Sequence, residues 1–130
     1  MNVPEHPTLD IIAVPGEELV PMLVSNFDAL KKSLPERPDL DFIAARYREA
    51  TSFARLFWEH PTDPKFPRYV HHLKMPTLIV WGDEDKLIPV QQAKGWKKLI
   101  PNSEVMIVKG AGHIVQRDKP EIVGAVSIVL

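Results

Sequence analysis

At 130 residues the chain is long enough for one domain with a buried core. A formal net charge of -1 and a charged fraction of 25% exclude the strongly basic or acidic balance that points to nucleic acid or an anionic membrane as a partner. With no cysteine, the chain has neither a disulfide framework nor a thiolate nucleophile.

The N-terminus, Met1-Asn2-Val3-Pro4-Glu5-His6-Pro7, lacks the basic and apolar regions of a secretory leader. No run approaches the ~18 consecutive apolar residues of a membrane span. A cytoplasmic protein is expected. Prolines number 13 and concentrate up to Pro76, which separates a punctuated first half from a more regular second half.

Residues Met1 to Pro15 show little periodicity and read as an extended lead-in. From Glu17 the pattern changes, with Leu19, Leu23, Phe27 and Leu30 three or four apart. That spacing predicts one amphipathic helix, with Pro21 tolerated near its first turn. Its acids come first and its lysines last, as the helix dipole favours. Leu34 to Pro38 ends it. Asp39 is a good N-cap for a second helix, with an apolar stripe of Ile43, Tyr47, Ala50, Ala54 and Phe57. Pro61, Pro64 and Pro67 make His60 to Pro67 a loop, followed by a short helical turn over Arg68 to Leu73.

The second half alternates between strand and helix patterns. Thr77-Leu78-Ile79-Val80-Trp81 is continuously apolar and β-rich, as in a parallel strand covered on both faces. Pro89 opens a helix in which Ala93, Trp96 and Leu99 or Ile100 share a face, and Pro101-Asn102 closes it. Glu104 to Val108 is a second strand. Asp118-Lys119-Pro120-Glu121 has the form of a capping box, leading into a helix with Ile122, Val126 and Val129. Strand, helix, strand, helix in this order is a parallel, right-handed βαβ unit of an α/β protein.

The chemistry gathers at the strand ends. Asp85 follows Gly82 by three residues, and His113 closes Gly110-Ala111-Gly112-His113. In a parallel sheet both lie beyond the carboxyl ends of neighbouring strands, where open α/β sheets place their sites. A carboxylate there can fix the tautomer of an imidazole and stabilise its charged form. A histidine, with an unperturbed pKa near ~6.5, can take and return a proton near neutral pH. Gly110 and Gly112 would let the loop adopt positive φ. Taken singly, an acid after a strand is more often a turn former and Gly-x-Gly-His more often a tight turn. Asp83 is the competing acid, better suited to a turn because it follows Gly82 directly.

From about Pro76 to Leu130 the chain resembles the C-terminal end of an α/β-hydrolase. The resemblance rests on Pro76-Thr77-Leu78 with its apolar strand, Gly82-Asp83-Glu84-Asp85 through Pro89, and Gly110-Ala111-Gly112-His113. It implies Asp85 as triad acid and His113 as triad base, in the family's order. It also implies a partial α/β-hydrolase core over 75–130, preceded by a helical lid over 1–74. Phe42, Tyr47, Phe53, Phe57 and Trp58 are candidate pocket-lining residues of that lid, although aromatics at helical spacing pack as core more often.

The family's Gly-x-Ser-x-Gly elbow and oxyanion segment have no counterpart here. Ser25, Ser33, Ser52, Ser103 and Ser127 are the serines, and none has glycine on both sides. Losing a triad nucleophile costs on the order of 10⁶ in turnover, and each oxyanion donor is worth ~10²–10³. The expectation is the C-terminal part of a small-molecule hydrolase, inactive alone, whose nucleophile lies outside this chain. An unpaired strand edge predicts self-association or association with an N-terminal half.

A non-catalytic binding or scaffold module is the alternative, with Asp85 and His113 as turn residues. A metal site drawing on His60, Asp63, His71, His72 and His113 is disfavoured. Adjacent histidines lie about 100° apart on a helix, and no His-x-x-x-His spacing occurs. No cofactor is implied, since an Asp–His pair works by proton transfer and no glycine-rich phosphate loop is present.

Overall fold

The β-rich run after Pro76 forms β1 (Thr77–Gly82), and the run after Pro101-Asn102 forms β2 (Ser103–Val108). In the computed structural model, which describes residues 13–57, 65–70, 72–122 and 124, the two strands pair in parallel from Thr77↔Ser103 to Gly82↔Val108. Their starts are tied by Thr77 N–H donating to Asn102 O at 3.0 Å and Asn102 Nδ2 donating to Lys74 O at 2.9 Å. Buried Ser103 satisfies its hydroxyl by donating to Ile100 O at 2.6 Å.

Side chains alternate across the pleat, so each face has its own partner. Val80, Met106 and Val108 meet Ala111, Val115 and Ile122 in the core cluster on one face. On the other lies α5 (Gln92–Leu99), with Ala93 and Ile100 buried as the spacing predicts. Phe66, at the start of α4 (Phe66–Val70), packs edge-on to Trp96 with centroids 5.6 Å apart. Burying a Val- or Ile-sized side chain in such contacts is worth ~1.5–3 kcal/mol.

Several expectations need correction. The helix expected from Glu17 is three pieces: α1 (Gly16–Leu19), a 3₁₀ turn over Val20–Met22, and α2 (Phe27–Lys32). The break at 23–26 is tertiary in origin. Leu23 O accepts the Ile114 N–H, Ser25 N–H donates to Asp118, and Asn26 starts a fresh helix by accepting the Ala29 N–H. The backbone groups that would continue the helix are used by the other half of the chain.

Asp39 does cap α3 (Leu40–Phe57), accepting the Phe42 N–H at 2.8 Å. Of the expected apolar stripe of α3, however, Ile43, Tyr47 and Ala50 are exposed and Ala54 is half-buried, while the Phe57 side chain lies outside what the structure describes. Tyr47 is 70% exposed and Ile43 49%, while Phe42, Ala44 and Ala45 are half-buried. The α4 helix also begins earlier than expected, because Pro67 sits in its first turn, where its missing N–H has no helical partner to lose. β1 is half-buried from Thr77 to Trp81 rather than covered on both faces, as suits a two-stranded sheet.

The capping box is a further correction. Asp118 ends α6 (Val115–Asp118), and its carboxylate turns to Gly112 and Ser25 instead of a following helix. Helical backbone resumes at 120–122. The lead-in to residue 12, Trp58, His60, Asp63, His71, Val126 and Val129 lie outside the described residues. Among the described residues no helix is long and apolar enough to cross a membrane.

Candidate active site

β1 and β2 end side by side, and the loops that follow them are stitched together. Asp83 N–H donates to Val108 O at 3.1 Å, and Glu84 N–H donates to Ala111 O at 3.0 Å. Asp83 Oδ1 in turn accepts the Gly110 N–H at 2.7 Å. Gly110 has φ +65, which an L side chain rarely adopts, so the sharp turn after β2 requires glycine. Gly112 is needed for a different reason from the one its motif suggests. Its φ is not positive, but a Cβ there would come within 2.8 Å of Val24 C and 2.9 Å of Ser25 N.

The acid loop is held from within. Asp85 Oδ1 accepts the Leu87 and Ile88 N–H groups, each at 2.9 Å. Trp81 Nε1 reaches out of β1 to donate to Ile88 O at 3.1 Å, and buried Leu87 anchors the turn. One carboxylate oxygen is thus used by its own loop, which leaves the other free to point across.

That second oxygen, Oδ2, lies 2.9 Å from His113 Nδ1. The Asp85 side chain is 3% exposed and the His113 side chain 35%. A carboxylate only accepts, so Nδ1 carries the proton and Nε2 is left as the basic nitrogen. The hydrogen bond to Asp85 raises the His113 pKa above 6.5, burial opposes this, and the Asp85 charge adds to the rise. The structure therefore brings the two sequence-predicted residues together and keeps Asp83 away from the imidazole.

Sequence reasoning missed Asp118 and Ser25. Ser25 Oγ donates to Gly110 O at 2.8 Å, and its N–H donates to Asp118 Oδ2 at 2.8 Å. Nothing in the local pattern marks Ser25, and the pattern around Asp118 pointed to a helix cap instead of to Gly112 and Ser25. Among the described residues, no three His, Asp or Glu side chains gather as a metal cluster. An apolar groove of about 580 Å³ on the α5 face, lined by Val90, Ala93, Val105 and Ile107 with lysines at its rim, contains neither Asp85 nor His113.

The site is thus a parallel strand pair with an acid after the first strand hydrogen-bonded to a histidine after the second. The family model for the alpha/beta hydrolase fold matches residues 44–120, and the chain belongs to that family. The relatives it matches are hydrolases. It is 26% identical over 94 residues to the uncharacterized hydrolase YugF of Bacillus subtilis, covering 71% of this chain and 34% of that one. To Lipase 1 of Psychrobacter immobilis it is 29% identical over 83 residues, covering 62% and 26%. Among solved structures, it shares the fold of a serine hydrolase involved in carbazole degradation, the CarC enzyme. The TM-score is 0.60 at 24% identity, over 98% of this chain and 49% of that one. The chain thus spans about a third of the length of one of these curated relatives and about a quarter of the other.

Proposed function

We propose that this chain supplies the acid–base half of a hydrolase site. The observation that carries the reading is the 2.9 Å contact between His113 Nδ1 and the buried Asp85 carboxylate. His113 Nε2 takes a proton from an attacking hydroxyl or water as that oxygen bonds to the electrophilic carbon of an ester-like substrate. Asp85 stabilises the imidazolium and holds its ring orientation. The proton then passes from Nε2 to the departing oxygen as the scissile bond breaks. The nucleophile and the oxyanion donors belong to chain outside these residues, and residues 1–74 act as a lid over a core that begins at residue 75.

Alone, the 130-residue chain turns over no ester beyond background. The test pairs it with a separately expressed N-terminal half of a relative such as Lipase 1. Nitrophenyl-ester hydrolysis is expected only in the mixture, and His113→Ala is expected to reduce it by at least ~10³-fold. Robust hydrolysis by the lone chain that disappears with His113→Ala would overturn the claim that the nucleophile lies elsewhere. A reconstituted activity indifferent to both Asp85→Asn and His113→Ala would overturn the proton-transfer role.

A further inference from the structure

The Asp118 carboxylate stands at the junction of three segments. Its Oδ2 accepts the Gly112 N–H at 2.7 Å and the Ser25 N–H at 2.8 Å, so one charged oxygen holds two backbone amides. Gly112 directly precedes His113. Ile114, directly after it, donates its N–H to Leu23 O at 2.9 Å. The peptide unit after the histidine and the one entering Gly112 are therefore held, the first by Leu23 O directly and the second by Asp118, which also holds Ser25. Ser25 Oγ closes the junction by donating to Gly110 O at 2.8 Å, and buried Val24 fills the space beside Gly112. Arg117, the neighbour of Asp118, donates instead to Ser33 Oγ after α2.

The imidazole itself has weak means of holding its place. Its side chain is 35% exposed, and its contact with Asp85 is a single hydrogen bond that constrains one ring nitrogen. A loop swinging about Gly110 would carry the ring away at the cost of the Glu84 N–H to Ala111 O bond, leaving intact the bonds Asp85 makes within its own loop. Charge-assisted bonds to backbone N–H groups are short and strong, which suits a carboxylate to clamping such a loop.

We propose that Asp118 is a positioning residue for His113, setting the backbone from which the imidazole reaches Asp85. The proposal rests on the reading of His113 as the proton-transferring base. Asp118 acts through the Gly112 amide and touches no substrate. Because the same oxygen holds Ser25, the lid-side segment and the histidine loop share one clamp. Loosening either is expected to be felt by the other.

The test is an NMR titration of the His113 imidazole in the 130-residue chain, with Asp85→Asn, Asp118→Ala and Asp118→Asn variants. Asp85→Asn is expected to bring the His113 pKa back towards the free-imidazole value. If it does not, the pair reading fails and the Asp118 proposal falls with it. With that response in place, Asp118→Ala is expected to lower the His113 pKa, whereas Asp118→Asn, whose amide oxygen can still accept both N–H groups, retains most of the rise. Equal lowering by Ala and Asn would mean that charge alone acts, and would overturn the positioning role. An unchanged titration in Asp118→Ala would overturn it too, leaving the pair reading intact. Should Asp118→Ala fail to fold, Asp118→Glu takes its place, keeping the charge but displacing the carboxylate by one methylene. A lowered His113 pKa in that variant supports positioning, and a wild-type value refutes it.

Discussion

Asp83 Oδ1 accepts the Gly110 N–H at 2.7 Å, so the acid that does not meet the histidine ties the histidine loop to the end of β1. Asp83 and Asp85, separated by Glu84, thus divide two tasks within one turn. The first fastens the loop and the second faces the imidazole. Asp83→Ala is expected to cost about 1 kcal/mol of stability through the lost hydrogen bond. The His113 pKa should stay raised in that variant. Urea unfolding followed by imidazole titration separates the two effects, and a collapse of the pKa in Asp83→Ala would contradict the division.

The raised His113 pKa has a definite sign in stability. The protonated imidazole gains its partner on folding, so its contribution is fully present below the unfolded value of 6.5. It fades as pH rises through the higher native value. Stability measured from pH 5 to 9 should therefore show a loss in that window, and Asp85→Asn should abolish it. A profile identical in the two proteins would show that the pair is not coupled to folding. In a reconstituted enzyme the same rise moves the acidic limb of the rate profile to higher pH, because the base acts only when neutral.

Gly112→Ala should destabilise the chain by about 1–3 kcal/mol, since its Cβ meets main-chain atoms that have no side-chain freedom to yield. Gly16→Ala is the control, because nothing lies within 4 Å of a Cβ there. Equal melting temperatures for the two variants would refute the close packing of Val24 and Ser25 on the histidine loop.

Trp81→Phe keeps an aromatic ring in β1 but removes the Nε1 donor to Ile88 O. The expected cost is about 1 kcal/mol. Hydrogen exchange of the Leu87 and Ile88 amides, which donate to Asp85 Oδ1, should accelerate with it. Unchanged exchange would mean that the acid loop is held without the indole.

Self-association through the free edge of β1, or over exposed apolar residues such as Ile107 at 44%, is expected for the lone chain. Light scattering should report a dimer or larger species. A monodisperse monomer that binds no apolar dye would contradict it.

Much of the second half was legible because its information is local. β-branched runs marked both strands, Pro89 and Pro101 bracketed α5, and the spacing of Asp85 and His113 beyond the strand ends anticipated their meeting. The first half was read less well for an equally physical reason. Leu19, Leu23, Phe27 and Leu30 hold helical spacing, yet the chain breaks between them, because Leu23 and Ser25 make their hydrogen bonds to Ile114 and Asp118. The capping-box reading failed on the same carboxylate. A side chain with a good local partner takes a better tertiary one when two amides converge on it.

The sequence by itself determined the parallel strand–helix–strand unit, the hydrolase family and the acid–histidine candidates, since all of these are written in residue type and short spacing. Only the tertiary structure decided what Asp83 does, which is to hold the Gly110 N–H. It alone revealed that Gly112 is required by Val24 and Ser25, and that Asp118 joins the two halves of the chain. Those outcomes depend on contacts between segments up to 93 residues apart, where hydrogen-bond geometry and not pattern selects the partner.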